Sequence, residues 1–119
     1  FAWAELLRQQ DRRADAVKLY RELAADVRSK EGSAAAYYVL EDTFEKGDMD
    51  KTEKAIFAYS EREPQAYWLA KAFILLGDVY VRKGDNFQAR ATYQSVADGY
   101  SPADDGIVDE AKERIAKLN

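Results

Sequence analysis

Two glycine–aspartate pairs, Gly47-Asp48 and Gly84-Asp85, stand 37 residues apart in a chain of 119. What surrounds them repeats in register. Ahead of the second pair, Phe73, Leu76, Gly77 and Tyr80 fall at i, i+3, i+4 and i+7, one face of a helix. Behind it, Ala89, Tyr93 and Val96 mark the inner face of another helix. The aligned positions around the first pair are Ala36, Val39, Leu40 and Thr43 before it, and Thr52, Ile56 and Tyr59 after it. A further 36 residues upstream Asp11 occupies the turn, with Trp3, Ala4 and Leu7 before it and Ala16, Tyr20 and Leu23 after it. Each match alone is weak; the set holds register across three copies. Such a period is the mark of stacked supersecondary units. The pair itself has a local reason. Gly84 can take the left-handed conformation that ends a helix, and Asp85 or Asn86 can cap the next one.

The reading that follows is seven helices, at roughly 1–9, 12–29, 33–46, 50–62, 65–83, 86–100 and 104–118. They group as helix pairs over 1–29, 33–62 and 65–100, with Pro64 and Ser101-Pro102 closing the second and third. The last helix carries Ile107, Ala111, Ile115 and Leu118 on one face and charges elsewhere, with Asp104 or Asp105 to cap its start. That is the pattern of a capping helix, apolar inward and soluble outward. Composition agrees. Only 2 prolines and 6 glycines are too few for a turn-rich β fold, and 8 tyrosines supply large wedges between packed helices. The length suits one domain, 1–119, and not two.

Several function classes are excluded or disfavoured. With no cysteine and no histidine, disulfides, zinc sites built from those ligands, thiol chemistry and histidine triads are out. The net charge is −4, and the one basic cluster, Arg12-Arg13 with Lys18, is small, so no nucleic acid is expected as a partner. No apolar run is long enough to span a membrane, and no signal peptide is expected within this stretch, although the full-length protein can carry targeting signals outside it. The chain opens at Phe1 as if in mid-helix, so it is expected to be a piece of a longer protein. Asp104-Asp105-Gly106 with Asp109 and Glu110 lacks the alternating ligands of a calcium loop and reads as a helix start. There is no glycine-rich phosphate loop. The acidic side chains are expected at solvent positions of amphipathic helices. No metal, cofactor or catalytic residue is expected.

The run Phe73, Leu76-Gly77, Tyr80, Gly84-Asp85, Ala89, Tyr93 resembles the tetratricopeptide repeat signature. It departs in Val96, where the family usually has alanine, and in Pro102, one place late. The middle copy departs further, with Leu40 for the glycine of the first helix and Thr52 for the alanine of the second. The spacing exceeds the family's roughly 34 residues. The longer phrase from Tyr67 to Ala89 is similar to the C-terminal part of long tetratricopeptide proteins of Bacteroidetes. The resemblance implies an all-α solenoid, a right-handed superhelix of antiparallel helix pairs with a C-terminal capping helix. It also implies a periplasmic or cell-envelope setting, with the cytoplasm as the alternative.

In this family the first helix of each pair lines a concave groove that binds peptide or protein segments. Carried over, the exposed stripe is Ala34, Tyr37, Glu41, Phe44 and Glu45 on helix 33–46, and Tyr67, Lys71, Ile74, Asp78, Val81 and Arg82 on helix 65–83. Such a mixed surface suits an extended or helical segment with apolar anchors. The structural alternative is that Tyr37, Phe44, Tyr67 and Ile74 pack against a neighbouring helix, and Trp68 reads as a contact between repeats. Only Lys71 matches the set with which some family members clamp the terminal carboxylates of chaperones. Glu5 and Asp78 would repel such a group, so that activity is not expected. The expected function is a protein-binding scaffold, not an enzyme, with exposed helix ends as a surface for self-association. The alternative is a purely structural cap of a longer solenoid that binds its partner upstream.

Overall fold

A computed structural model of the chain describes residues 28–100 and 105–118. The helices expected at 1–9 and 12–29 lie outside the described residues, apart from Arg28 and Ser29. So do Trp3, Ala4, Glu5, Leu7, Asp11 to Arg13, Ala16, Lys18, Tyr20, Leu23, Pro102 and Asp104. The described residues form five α-helices and no strand: α1 (Lys30–Glu45), α2 (Met49–Glu61), α3 (Ala66–Arg82), α4 (Asn86–Gly99) and α5 (Ile107–Ala116). Among the described residues no helix is long and apolar enough to cross a membrane.

The glycine–aspartate pairs do the local work that their chemistry predicts. Gly47 and Gly84 adopt φ values of 92° and 80°, where a side chain would be strained. The following aspartates cap the next helix: Asp48 accepts from the Lys51 amide and Asp85 from the Gln88 amide, both at 3.0 Å. Two starts differ from expectation. Ser29 caps α1, accepting from the Gly32 amide at 2.9 Å, so α1 begins three residues early. Gly106, at φ 90°, holds the chain out of helix and α5 starts late, at Ile107. Asp105 still reaches the new terminus, its carboxylate accepting from the Ile107 amide at 3.2 Å.

The helices alternate in direction. Tyr59, near the end of α2, donates its hydroxyl to the Ser33 carbonyl at the start of α1, 2.7 Å away. The Ser33 hydroxyl in turn accepts from the Gln65 amide at the start of α3. Thus α1 and α3 run parallel, with α2 antiparallel to both. Each helix packs on the next; α1 also touches α3, and α3 touches α5, whereas α2 and α4 do not meet. The odd-numbered helices therefore form one layer and the even-numbered ones another.

Helix α3 is the shared element of two apolar clusters. Ala72, Leu75, Leu76 and Val79 pack with Leu40 of α1 and with Ile56 and Tyr59 of α2. Ala70 and Ile74 pack with Ala89, Tyr93 and Val96 of α4 and with Ile107 and Ala111 of α5. Burying both flanks explains why its sequence carries so few charges: only Lys71, Asp78 and Arg82 interrupt it. The residues aligned across the repeats, Thr52, Ile56 and Tyr59 and then Ala89, Tyr93 and Val96, are all buried.

A polar network joins the start of α2 to the end of α3. Glu53 accepts from the Tyr80 hydroxyl at 2.7 Å and from the Lys83 ammonium at 2.9 Å, and Lys83 also lies 2.6 Å from Asp50. The Tyr80 hydrogen bond, followed by that from Lys83, holds the Glu53 carboxyl below its ordinary value. Burial, reinforced by the bond to Glu53, pushes the Tyr80 hydroxyl up to about 12.

Two outcomes follow. A Cβ at Gly77 would lie 2.2 Å from Cε1 of the Tyr93 ring. Gly77→Ala is expected to lower unfolding free energy by about 1–3 kcal/mol in urea titrations, despite alanine's better helix propensity. Gly99→Ala, with nothing within 4 Å of the added carbon, serves as the control and should not destabilise. Glu53→Gln should cost about 1 kcal/mol at neutral pH. A carboxylate with a lowered folded-state pKa stabilises above its unfolded value, here 4.5, and loses that effect as pH falls through the folded value. The melting temperatures of the variant and the parent should therefore converge in acid.

Candidate functional site

Because α1, α3 and α5 run parallel, their C-terminal ends converge on one side of the molecule. There the Arg82 guanidinium sits 4.4 Å from the centre of the Phe44 ring, joining α3 to α1. One turn earlier on α3, Asp78 accepts from Arg114 of α5 at 3.0 Å and from the buried Tyr93 hydroxyl of α4. Arg114 also donates to Glu110 at 3.1 Å. Burial, and then the bond to Asp78, pushes the Tyr93 hydroxyl well above its usual range, so that it stays a donor. Between these contacts lies an open groove of about 370 Å³, lined by Phe44, Asp78, Val81, Arg82, Tyr93, Arg114, Lys117 and Leu118.

Of the sequence-expected stripe, Phe44, Asp78, Val81 and Arg82 come together here. Three others gather towards the start of α3. The Lys71 ammonium lies 5.6 Å from the centre of the Tyr37 ring, 5.8 Å from that of Tyr67 and 5.9 Å from that of Trp68. Trp68 also packs across α1 and α3, its ring 5.7 Å from Tyr37 and 5.8 Å from Tyr38. Glu41 and Glu45 lie on α1, half-buried and exposed respectively.

The stripe needs correction at three positions. Ile74 is 3% exposed and belongs to the core, because α5 folds over that part of α3 with Ile107 and Ala111. Tyr37 and Ala34 are also buried, at 8% and 1%. The surface is thus two separate patches, an aromatic cluster around Lys71 and the groove. Residues on α4, on α5 and just past its end that complete the groove, Tyr93, Arg114, Lys117 and Leu118, were not in the stripe. A signal for them existed. Asp78 and Arg114 are 36 residues apart, one repeat period, so equivalent positions on successive odd-numbered helices meet. Among the described residues no group of acidic side chains is placed to hold a metal ion. Asp105 is instead engaged with the Tyr100 hydroxyl and the start of α5.

Asp78→Asn removes the charge to which both Tyr93 and Arg114 are bonded. It should speed amide hydrogen exchange in α5 by roughly fivefold to tenfold, as expected for loss of about 1–1.5 kcal/mol, while leaving α1 and α2 unchanged. Comparison with known proteins finds no matching family model, no matching curated protein and no matching solved structure.

Proposed function

We propose that the chain is a repeat scaffold of the tetratricopeptide type, not an enzyme, and that it binds a segment of another protein in the groove along α1, α3 and α5. On this reading residues 1–29 hold a first helix pair, making three pairs and a cap in a right-handed solenoid. Support comes from the alternating helices, the turns built alike at Gly47-Asp48 and Gly84-Asp85, and the close approach of Tyr93 to Gly77. The observation that carries the binding role is the groove's floor. Val81 is 40% exposed on a helix otherwise buried on two flanks, and it shares the groove with Phe44 and Leu118. Apolar side chains in a concave site with charged neighbours are how such surfaces seat a partner's anchor residues.

One observation favours the second reading, a structural cap. Helix α5 turns Ile107, Val108 and Ala111 inward and presents Asp109, Lys112, Glu113 and Ala116 to solvent, as a terminal helix would. A selection of displayed random peptides against the folded chain separates the two. A binding groove yields peptides whose capture is abolished by Val81→Asp and untouched by Phe57→Asp on the outer face of α2. A cap yields none, or only peptides indifferent to Val81.

A further inference from the structure

The sequence holds two aspartate–glycine bonds, Asp98-Gly99 and Asp105-Gly106. In such a pair the side-chain carboxyl is open to attack by the next residue's amide nitrogen, because glycine carries no side chain to block the approach. The fold treats the two bonds differently. Gly99 is the last residue of α4, so its amide belongs to the helical hydrogen-bond ladder. The Asp98 side chain turns back towards the preceding turn, where its Oδ1 accepts from the Gln94 amide group at 2.9 Å. Carboxyl carbon and attacking nitrogen are thus held apart. Asp105-Gly106 stands ahead of α5, outside any helix, and both residues are exposed. Gly106 sits at φ 90°, and its amide donates no hydrogen bond among the described residues. The Asp105 Oδ1 accepts from the Ile107 amide, two residues on, at 3.2 Å. The ring closed by that bond runs through the Gly106 nitrogen, which keeps the carboxyl carbon close to it. The other carboxyl oxygen accepts from the Tyr100 hydroxyl.

We propose that Asp105-Gly106 is a site of spontaneous covalent modification, isomerising to an isoaspartyl linkage while Asp98-Gly99 stays intact, and that the product loosens α5. The Gly106 nitrogen attacks the Asp105 carboxyl carbon and loses its proton. One carboxyl oxygen leaves as water, taking that proton and one from solvent, and a cyclic succinimide closes. Water then adds at the main-chain carbonyl carbon of Asp105, whose bond to the Gly106 nitrogen breaks. The side-chain carbon keeps its new bond to that nitrogen. A free carboxylate is left on the α carbon and a proton returns to solvent. The reaction consumes nothing, since the water lost in the first step is taken up in the second. The main chain has then gained one carbon directly ahead of α5. The acceptor of the Ile107 amide is displaced, and Ile107 and Ala111, at 2% and 0% exposure, are pulled against their seats on α3 and α4. None of this depends on what the groove binds.

The test is ageing of the folded chain for several weeks at neutral pH and body temperature in heavy-oxygen water, followed by peptide mapping. An isoaspartyl peptide is recognised by resistance to an aspartate-specific protease, by uptake of a solvent oxygen, and by methylation with an isoaspartate-specific carboxyl methyltransferase. Product at Asp105 is expected to exceed that at Asp98 by roughly tenfold, since reaction at Asp98 must wait for the end of α4 to open. In the urea-unfolded chain the two sites should react at similar rates, which assigns the choice to the fold. Amide hydrogen exchange in α5 should quicken severalfold as product accumulates. Asp105→Ser keeps an acceptor for the Ile107 amide but has no carboxyl to cyclise. It should give no product there and no quickening of exchange on ageing. Equal accumulation at the two sites in the folded chain, or none at Asp105 while the unfolded chain reacts, overturns the proposal. Product at Asp105 with unchanged exchange in α5 overturns the claim that the linkage loosens that helix.

Discussion

The ring of Tyr93 lies against the backbone of α3 at Gly77, and most of what this structure offers depends on that contact. No residue larger than glycine fits there without displacing the ring. Because the ring lies so close, its hydroxyl reaches Asp78, the next residue along α3. Asp78 in turn holds Arg114 and with it the end of α5. Just past the end of α5 stand Lys117 and Leu118, which wall the groove. A chain of short-range consequences thus runs from one missing side chain to the shape of a surface three helices wide.

Much of this was legible in the residues. Gly47 and Gly84 had to end helices because few other residues tolerate φ near +90°, and Asp48 and Asp85 had to cap because their carboxylates reach the first free amides. The inner faces Thr52-Ile56-Tyr59 and Ala89-Tyr93-Val96 followed from spacing, since one face of a helix must be buried. Ile74 was misplaced for a physical reason. Periodicity locates a residue around its own helix but is silent about which neighbour covers that sector, and α5 covers it here. The same limit hid Arg114 and Lys117, whose helix shows only an amphipathic pattern until it is docked. The late start of α5 escaped because Asp105 looks like a cap from sequence, while Gly106 in a left-handed conformation delays the first turn.

The repeat spacing has a second use beyond marking the turns. Asp78 meets Arg114, and Phe44 meets Arg82, across separations close to one period. Parallel odd-numbered helices place equivalent turns side by side, so contacts along this layer join like positions. A surface built in that way is linear. On the scaffold reading proposed above, such a surface would receive an extended or helical partner.

Tyr93, Asp78 and Arg114 are expected to act as one unit. A double-mutant cycle with Tyr93→Phe and Arg114→Gln, followed by urea unfolding, measures it directly. Both side chains bond to the same oxygen of Asp78, so each single change alters the value of the other contact. Non-additivity of roughly 1 kcal/mol is expected. Additivity within about 0.3 kcal/mol would show that the two bonds are independent and that α5 is held by its apolar face alone.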